Sequence, residues 1–496
     1  MFRMKKLNAA MVAAGLLSAS LLTAPQLATS QALPIAAAGA GTAATVPYYT
    51  VRAGWETLMN ITNTTGNSLA VKVRVRESYN SRDVLDFNVL LSPYDVWTAW
   101  LSDVNGAPFL RTNDRSCTVP ISVRDAGAAG NALAYTGVFD DAGPDSTDRM
   151  LEGYVEIMVM GEVAGEGAAG QTPWLAKHVN GEPRNCVAAA NNFVRGAAIP
   201  AWTDGPITGV AGSGDPLARE HYGPIASPDS LKINVSYVKR ASGIGAGATA
   251  VHLSGWGVGQ NLVTAQQFPW FLEPTKASHA GLWNNSALAE VEAAITATAV
   301  INEWSNNPNL GAQTDWVVAF PTKSFRVDRA NTNIQAGCNQ WRNNAGGGII
   351  AASCEQTIAP FENAFGVPGR SNITVTYNLY DREETPLVIT TDGVTVSPAP
   401  PPEIRIDTLP YETNVLVIGN STYGPLLPAF NSAVAQVVDV KGQFAASEPE
   451  FGWLNLTFPR ATNAALPAAG LILKLRDFGD PTLNFGQAME HAYQRP

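Results

Sequence analysis

Apolar and polar residues alternate along much of this chain, and that period of two limits the possible folds more than any other feature. Between positions 69 and 76, Leu69, Val71, Val73 and Val75 fall on one side while Lys72, Arg74 and Arg76 fall on the other. Residues two apart share one face of a strand, so this segment is expected to be a half-buried antiparallel strand with its basic residues in solvent. Trp55, Thr57, Met59 and Ile61 alternate in the same way just before it. Thr64, Thr65, Gly66 and Asn67 lie between the two runs and favour a turn, which predicts a hairpin. Similar patterns recur at 85–91, 155–159, 231–237, 316–320, 373–379, 414–418 and 452–458. Short strands separated by Gly, Pro, Asn and Asp clusters imply a mainly β chain of antiparallel β-sandwich units with long loops. One helix is expected over 286–299, where Leu288, Val291, Ile295 and Ala299 recur at steps of three and four behind Ser286 as N-cap.

The first thirty residues read as a signal peptide. Arg3, Lys5 and Lys6 precede an apolar stretch over 9–24, and Ala28, Thr29 and Ser30 supply small residues for cleavage. Ser18, Ser20 and Pro25 interrupt that stretch, which is shorter than the roughly 20 apolar residues of a spanning helix, so no transmembrane span is expected. Residues 31–47 are rich in Ala and Gly and are expected to form a flexible tail. An N-terminal β-sandwich with a loop-rich insertion is expected over 48–280, and a helix plus a C-terminal β-rich unit over 281–496. Only 15% of residues are charged. Loss of the signal takes three of the 32 basic residues and none of the 42 acidic ones, which leaves a net charge of −13. Such a surface repels phosphate backbones and argues against nucleic acid as a partner.

The run NSRDVLDFNVLLSPYDVW at 80–97 resembles a segment of an uncharacterised group of exported β-rich proteins of Gram-negative bacteria. The likeness extends more weakly to LEGYVEIMVMGE at 151–162, to DWVVAFPTKSFRVD at 315–328 and to the region around Gly452 and Trp453. The resemblance implies export and a shared β-rich fold. That group has no assigned activity, so it supplies no catalytic residues.

Four cysteines in an exported chain point to disulfides. Three pairings are possible, and the favoured one joins Cys117 to Cys186 and Cys338 to Cys354, the latter pair bracketing a loop rich in Asn and Gly. Asp140, Asp141, Asp145 and Asp148 crowd a turn around Gly143 and Pro144, and are the candidate metal ligands. Calcium takes six to eight oxygen ligands and suits such a loop, although the spacing is not that of an EF-hand and a solvated acidic turn is the plainer reading. Trp256, Trp270, Phe271 and Trp283 lie in a loop-rich stretch and form the candidate ligand-binding platform. Their alternative is to roof the sandwich core. Gly165, Gly167 and Gly170 spell G-x-G-x-x-G, yet Gln171, Thr172 and Pro173 follow instead of a long helix, so a dinucleotide cofactor is not expected. No G-x-S-x-G or H-E-x-x-H occurs, and no catalytic residue is assigned. A triad assembled from distant segments stays open.

These readings favour an exported, non-enzymatic structural or adhesion protein of the cell surface or extracellular space, acting by self-assembly or by binding a protein or glycan. A secreted module for a carbohydrate or apolar ligand is the alternative, and a secreted hydrolase comes third.

Overall fold

In the computed structural model the described residues are 35, 39–131, 143–193, 217–264, 285–307, 310–327, 359–363, 365, 369–383, 405–419, 429–430, 432–439, 450–459 and 465–496. Up to position 253 the strands are β1 (Ala43–Thr50), β2 (Glu56–Asn63), β3 (Asn67–Glu77), β4 (Asp83–Leu91), β5 (Val96–Val104), β6 (Ala107–Arg111), β7 (Cys117–Val119), β8 (Ala128–Ala129), β9 (Glu152–Ala164), β10 (His178–Val179), β11 (Glu182–Pro183), β12 (Leu231–Lys239), β13 (Ile244–Thr249) and β14 (Val251–Leu253). They form two six-stranded sheets, ordered β14-β1-β9-β3-β4-β7 and β13-β12-β2-β5-β6-β8, plus the small β10-β11 hairpin. Short helices α1 (Ser122–Asp125), α2 (Thr172–Ala176), α3 (Cys186–Asn191) and α4 (Leu217–His221) interrupt them.

The later elements are α5 (Asn285–Ile295), β15 (Thr296–Ala297), β16 (Ala299–Ser305), β17 (Ala312–Ala319), α6 (Ser324–Val327), β18 (Ile373–Asp381), β19 (Arg405–Leu409), β20 (Thr413–Gly419), β21 (Ala435–Asp439), β22 (Phe451–Thr457), β23 (Leu466–Pro467), β24 (Ala469–Arg476), β25 (Phe485–Glu490) and β26 (Ala492–Gln494). Two five-stranded sheets result, β19-β18-β22-β16-β26 and β21-β20-β17-β24-β25. The mainly β, antiparallel expectation therefore holds, with β20 and β21 as a parallel pair.

No sheet mixes strands from before and after position 280 among the described residues, yet the two ranges share a core. Val71, Val73, Val155, Met59, Ile233 and Leu101 belong to the first two sheets, and Val317, Val415, Leu471 and Leu473 of the β21-β20-β17-β24-β25 sheet join the same core. On the other side of β17 and β24, Trp316, Val318 and Ile472 pack with Val375, Leu379 and Leu454 of the β19-β18-β22-β16-β26 sheet. Residues Ala32–Pro496 accordingly form one compact unit.

Four local expectations need correction. The stretch expected as a flexible tail over 31–47 enters β1 at Ala43, every residue of which is buried. Its small residues serve close packing: a Cβ on Gly41 would sit 2.5 Å from the Leu253 carbonyl oxygen. The predicted hairpin is a crossing between sheets, because β2 pairs with β12 and β5 while β3 pairs with β9 and β4. Next, β3 is buried on both faces, with Lys72, Arg74 and Arg76 covered. Finally, α5 ends at Ile295, four residues before Ala299, and the chain returns to strand. There Thr296 Oγ1 donates to the Glu292 carbonyl.

Candidate functional site

The sequence-predicted sites fare unevenly. Cys117 and Cys186 are joined, tying β7 to α3. Cys338 and Cys354 lie outside the described residues, as do Asp140, Asp141, Trp270, Phe271 and Trp283. Trp256 is fully buried in the second core cluster beside Leu253 and Val263, so its indole roofs the core and cannot serve a platform. Asp145 is exposed, whereas Asp148 is gripped by Arg52 through Nη1 at 2.8 Å and Nη2 at 3.0 Å. That hydrogen bond holds the Asp148 carboxyl below the usual range. Arg149 reaches Glu77 at 2.8 and 2.9 Å and also donates to the Pro144 carbonyl of this loop at 3.1 Å. Among the described residues no group of three or more His, Cys, Asp or Glu side chains is placed to hold a metal ion. The glycine-rich loop is a turn in which Gly165, Gly167 and Gly170 all take positive φ, and the helix after it has five residues.

The basic residues of β3 face the same side as Met158 and Met160, and their charges are neutralised in place. Arg74 Nη2 meets both Asp83 oxygens at 2.7 and 2.8 Å, and Lys72 Nζ meets Asp86 at 2.8 Å. Arg76 bridges Asp83 at 2.9 Å and Glu156 at 3.1 Å. Burial pushes the Asp83 carboxyl up, and Arg74 and Arg76 more than reverse it. Burial also lowers Lys72 and raises Glu156. A charge taken out of water is tolerated when its partners are fixed, and β4 and β9 supply them on either side of β3.

Two groupings have the residue types of a catalytic constellation but not its wiring. Ser92, Asp95 and His178 meet, with Ser92 Oγ 3.1 Å from Asp95 Oδ2 and 3.3 Å from His178 Nδ1, which in turn lies 3.4 Å from Asp95. In a triad the nucleophile and the carboxylate use opposite ring nitrogens, whereas here both converge on Nδ1. The hydrogen bond to Asp95 raises the His178 pKa, as a carboxylate beside an imidazole does. The second grouping is a relay. Tyr154 OH donates to Ser81 Oγ at 2.8 Å, and Ser81 Oγ donates to Glu412 at 3.0 Å, near Lys323. Ser81, Tyr154, Lys323 and Glu412 are all buried, and Lys323 Nζ is engaged by the carbonyls of Ser371 and Tyr411. His252 and His491 are pushed down to about 4 by burial, and each bonds backbone through Nε2.

The second six-stranded sheet offers an accessible surface instead. Its inner face carries Trp97, Ala99, Leu101, Met59, Ile61, Ile233 and Val235, all buried in the first core. Strand alternation turns their neighbours outward, and each strand of this face shows the period-two burial pattern. Register aligns these outward residues into rows across the strands. Thr249, Asn234, Asn60 and Thr98 stand side by side on β13, β12, β2 and β5. In the adjacent row Ser236, Leu58, Trp100 and Arg111 follow the same order from β12 to β6. Asn60, Thr98 and Thr249 are exposed and Trp100 is half-buried. Of the charged side chains here, Arg111 lies 4.4 Å over the Phe109 ring and bonds Ser102, Glu56 pairs with Arg240 at 2.6 Å, and Lys232 stands opposite Thr62 on the same outward side. The outward rows thus mix hydroxyl and amide groups with Leu58, Trp100, Arg111 and Lys232. Sequence reading passed over Trp100, although the spacing of Trp97 and Trp100 places them on opposite faces of one strand.

No family model, curated protein or solved structure matches this chain.

Proposed function

We propose that this chain is an exported, non-enzymatic protein that works at the cell surface or outside the cell by holding a partner on the outer face of its second sheet. The observation that carries this reading is the half-buried Trp100 beside the outward row Thr249–Asn234–Asn60–Thr98, because an aromatic ring offers a partner apolar area while its neighbours offer hydrogen bonds. The basic start and apolar stretch of the first thirty residues support export, as does the Cys117–Cys186 bond, which belongs to oxidising compartments. The wiring of Ser92, Asp95 and His178 counts against the hydrolase reading. Fractionation of cells producing the wild type and Trp100→Ala tests the proposal. Surface retention of the wild type and release of the variant are expected. A freely diffusing wild-type monomer would count against it.

A further inference from the structure

We infer that the β10–β11 hairpin is a latch closed by protonation: it docks on the β4–β5 turn while the His178 imidazole is charged and loosens when that charge is lost. This latch is independent of the partner face proposed above.

The geometry isolates the hairpin tip. Its neck is tied twice, because Arg184 N donates to the Lys177 carbonyl at 3.1 Å and the Cys117–Cys186 bond follows just beyond. Past the neck, Val179, Asn180, Gly181 and Glu182 are exposed. Asn180 and Gly181 reverse the chain with φ of 55° and 85°, the two left-handed positions of a tight hairpin turn. Among the described residues two side chains then hold the tip to the rest of the molecule, His178 on Asp95 and Ser92, and Glu182 on Arg115.

The two holds are unequal. The Arg115 and Glu182 side chains are 63% and 53% exposed, and an ion pair in that much solvent contributes little. His178 and Asp95 are only 22% and 12% exposed. Asp95 is itself fixed, accepting from Ser92 N and Oγ at 3.1 Å and from Val96 N at 3.0 Å, so the turn presents a rigid carboxylate to the ring. The stronger hold is also the one that titrates near neutrality, since an arginine–carboxylate pair stays charged there.

Charge around the ring sets the direction. The hydrogen bond to Asp95 raises the His178 pKa against burial, the Asp95 and Asp114 charges add to it, and Lys177 opposes. Glu182 is taken up by Arg115, and Arg184 by Glu166 at 2.9 Å. Burial pushes the Asp95 carboxyl up, and the hydrogen bond and charge of His178 help to bring it below its ordinary value. The contribution of the pair to the closed form is therefore complete just below the ordinary imidazole value of 6.5 and is lost as pH rises through the raised one, with an acid limit where Asp95 takes up its proton. A neutral imidazole keeps at most a hydrogen bond at Nδ1, as donor to Asp95 or as acceptor from Ser92.

The test is hydrogen exchange of the full, disulfide-bonded chain at about pH 6 and pH 8.5, read by mass spectrometry on peptides covering 177–185 and corrected for the intrinsic pH dependence of exchange. Protection of the hairpin is expected to fall roughly three- to tenfold between the two conditions while β9 keeps its own, which separates the latch from any global loss of stability. His178→Gln, which takes no charge, is expected to show the weaker protection at both pH values, and His178→Arg, which keeps one, the stronger protection at both. Imidazole NMR of the wild type is expected to place the His178 midpoint above 6.5. Equal corrected protection of the wild type at both pH values would overturn the latch. So would a His178→Gln variant that keeps the wild-type pH response, or a His178 midpoint at or below 6.5.

Discussion

Ser81 Oγ donates a hydrogen bond to Glu412 Oε2 at 3.0 Å across 331 positions of sequence. Ser81 sits in the β3–β4 turn with φ of 57°, a conformation that costs a non-glycine residue unless its surroundings hold it. Glu77 does much of the holding, accepting from the backbone N–H of Tyr79, Asn80 and Arg82 within 3.0 Å. One buried carboxylate thus shapes the turn, and a second, Glu412, fastens that turn to the start of β20, where Glu412 and Thr413 also donate their backbone N–H to the Tyr79 and Ser78 carbonyls.

Stability should depend on pH through Glu412. Burial raises its pKa to about 8, with Lys323 and Ser81 opposing. A carboxyl raised in the folded state contributes stability that is complete below its ordinary pKa near 4.5 and is lost as pH rises toward 8. Asp315, raised by burial to about 7, acts in the same direction. Below pH 6.5 the buried His252 and His491, held near 4, oppose this trend, so the melting temperature of the wild type is expected to fall between about pH 6.5 and 8, and Glu412→Gln to show a shallower decline there because its amide does not titrate. Parallel curves for the two proteins would show that the carboxyl titrates alike when folded and unfolded.

Removing one member of the β3 charge network should cost more than removing a linked pair. Arg76→Met deprives Glu156 of its 3.1 Å partner in a buried site, a loss of about 3 to 5 kcal/mol. Adding Glu156→Gln to that variant removes the stranded charge and is expected to restore part of the loss. Urea unfolding of the two singles and the double closes the cycle, and strict additivity would show that the two side chains are not coupled.

These buried charges show where the sequence stops being legible. Alternation placed the strands, and it placed Val71, Val73 and Val75 in the core, because period two is a local property. It also assigned Lys72, Arg74 and Arg76 to solvent, since nothing local reveals that β9 brings Glu156 alongside or that apolar residues such as Met158 cover the same face. The turn formers at 64–67 marked where the chain reverses but not which sheet it rejoins. The odd spacing of Trp97 and Trp100 puts them on opposite faces of any strand that holds both, whereas the row of Trp100 with Ser236 and Leu58 depends on a pairing with a strand about 130 residues later.

The Cys117–Cys186 bond closes a span of 69 residues, which in the chain-entropy model is worth about 4 kcal/mol. Cys117→Ser together with Cys186→Ser is expected to lower stability by that order, and a reductant should do little more to the double variant than to its untreated form. Protein from an oxidising compartment is expected to show no titratable thiol once denatured. Two free thiols would remove the proposed Cys338–Cys354 partner bond.

The two sequence ranges divided at 280 are expected to unfold together, because Phe430 is lodged in the core of the first. Its ring meets Tyr48 at 4.7 Å, Tyr237 at 5.3 Å and Trp55 at 5.4 Å. The backbone around it is fastened as well: Trp55 Nε1 donates to the Ala429 carbonyl at 3.0 Å, Phe430 N donates to Asp315 at 2.8 Å, and Ser432 and Ala433 both donate to Glu152. Truncating such a ring costs about 3 to 5 kcal/mol, a large part of the stability of an ordinary domain. Phe430→Ala should therefore shift a single cooperative transition downward and leave it single. A fragment ending at 280 would expose Tyr48, Trp55 and Tyr237 together, so it is expected to bind a hydrophobic dye and to lack a sharp melt. A fragment that melts cooperatively at the temperature of the full chain would show that Phe430 merely rests on a core already complete without it.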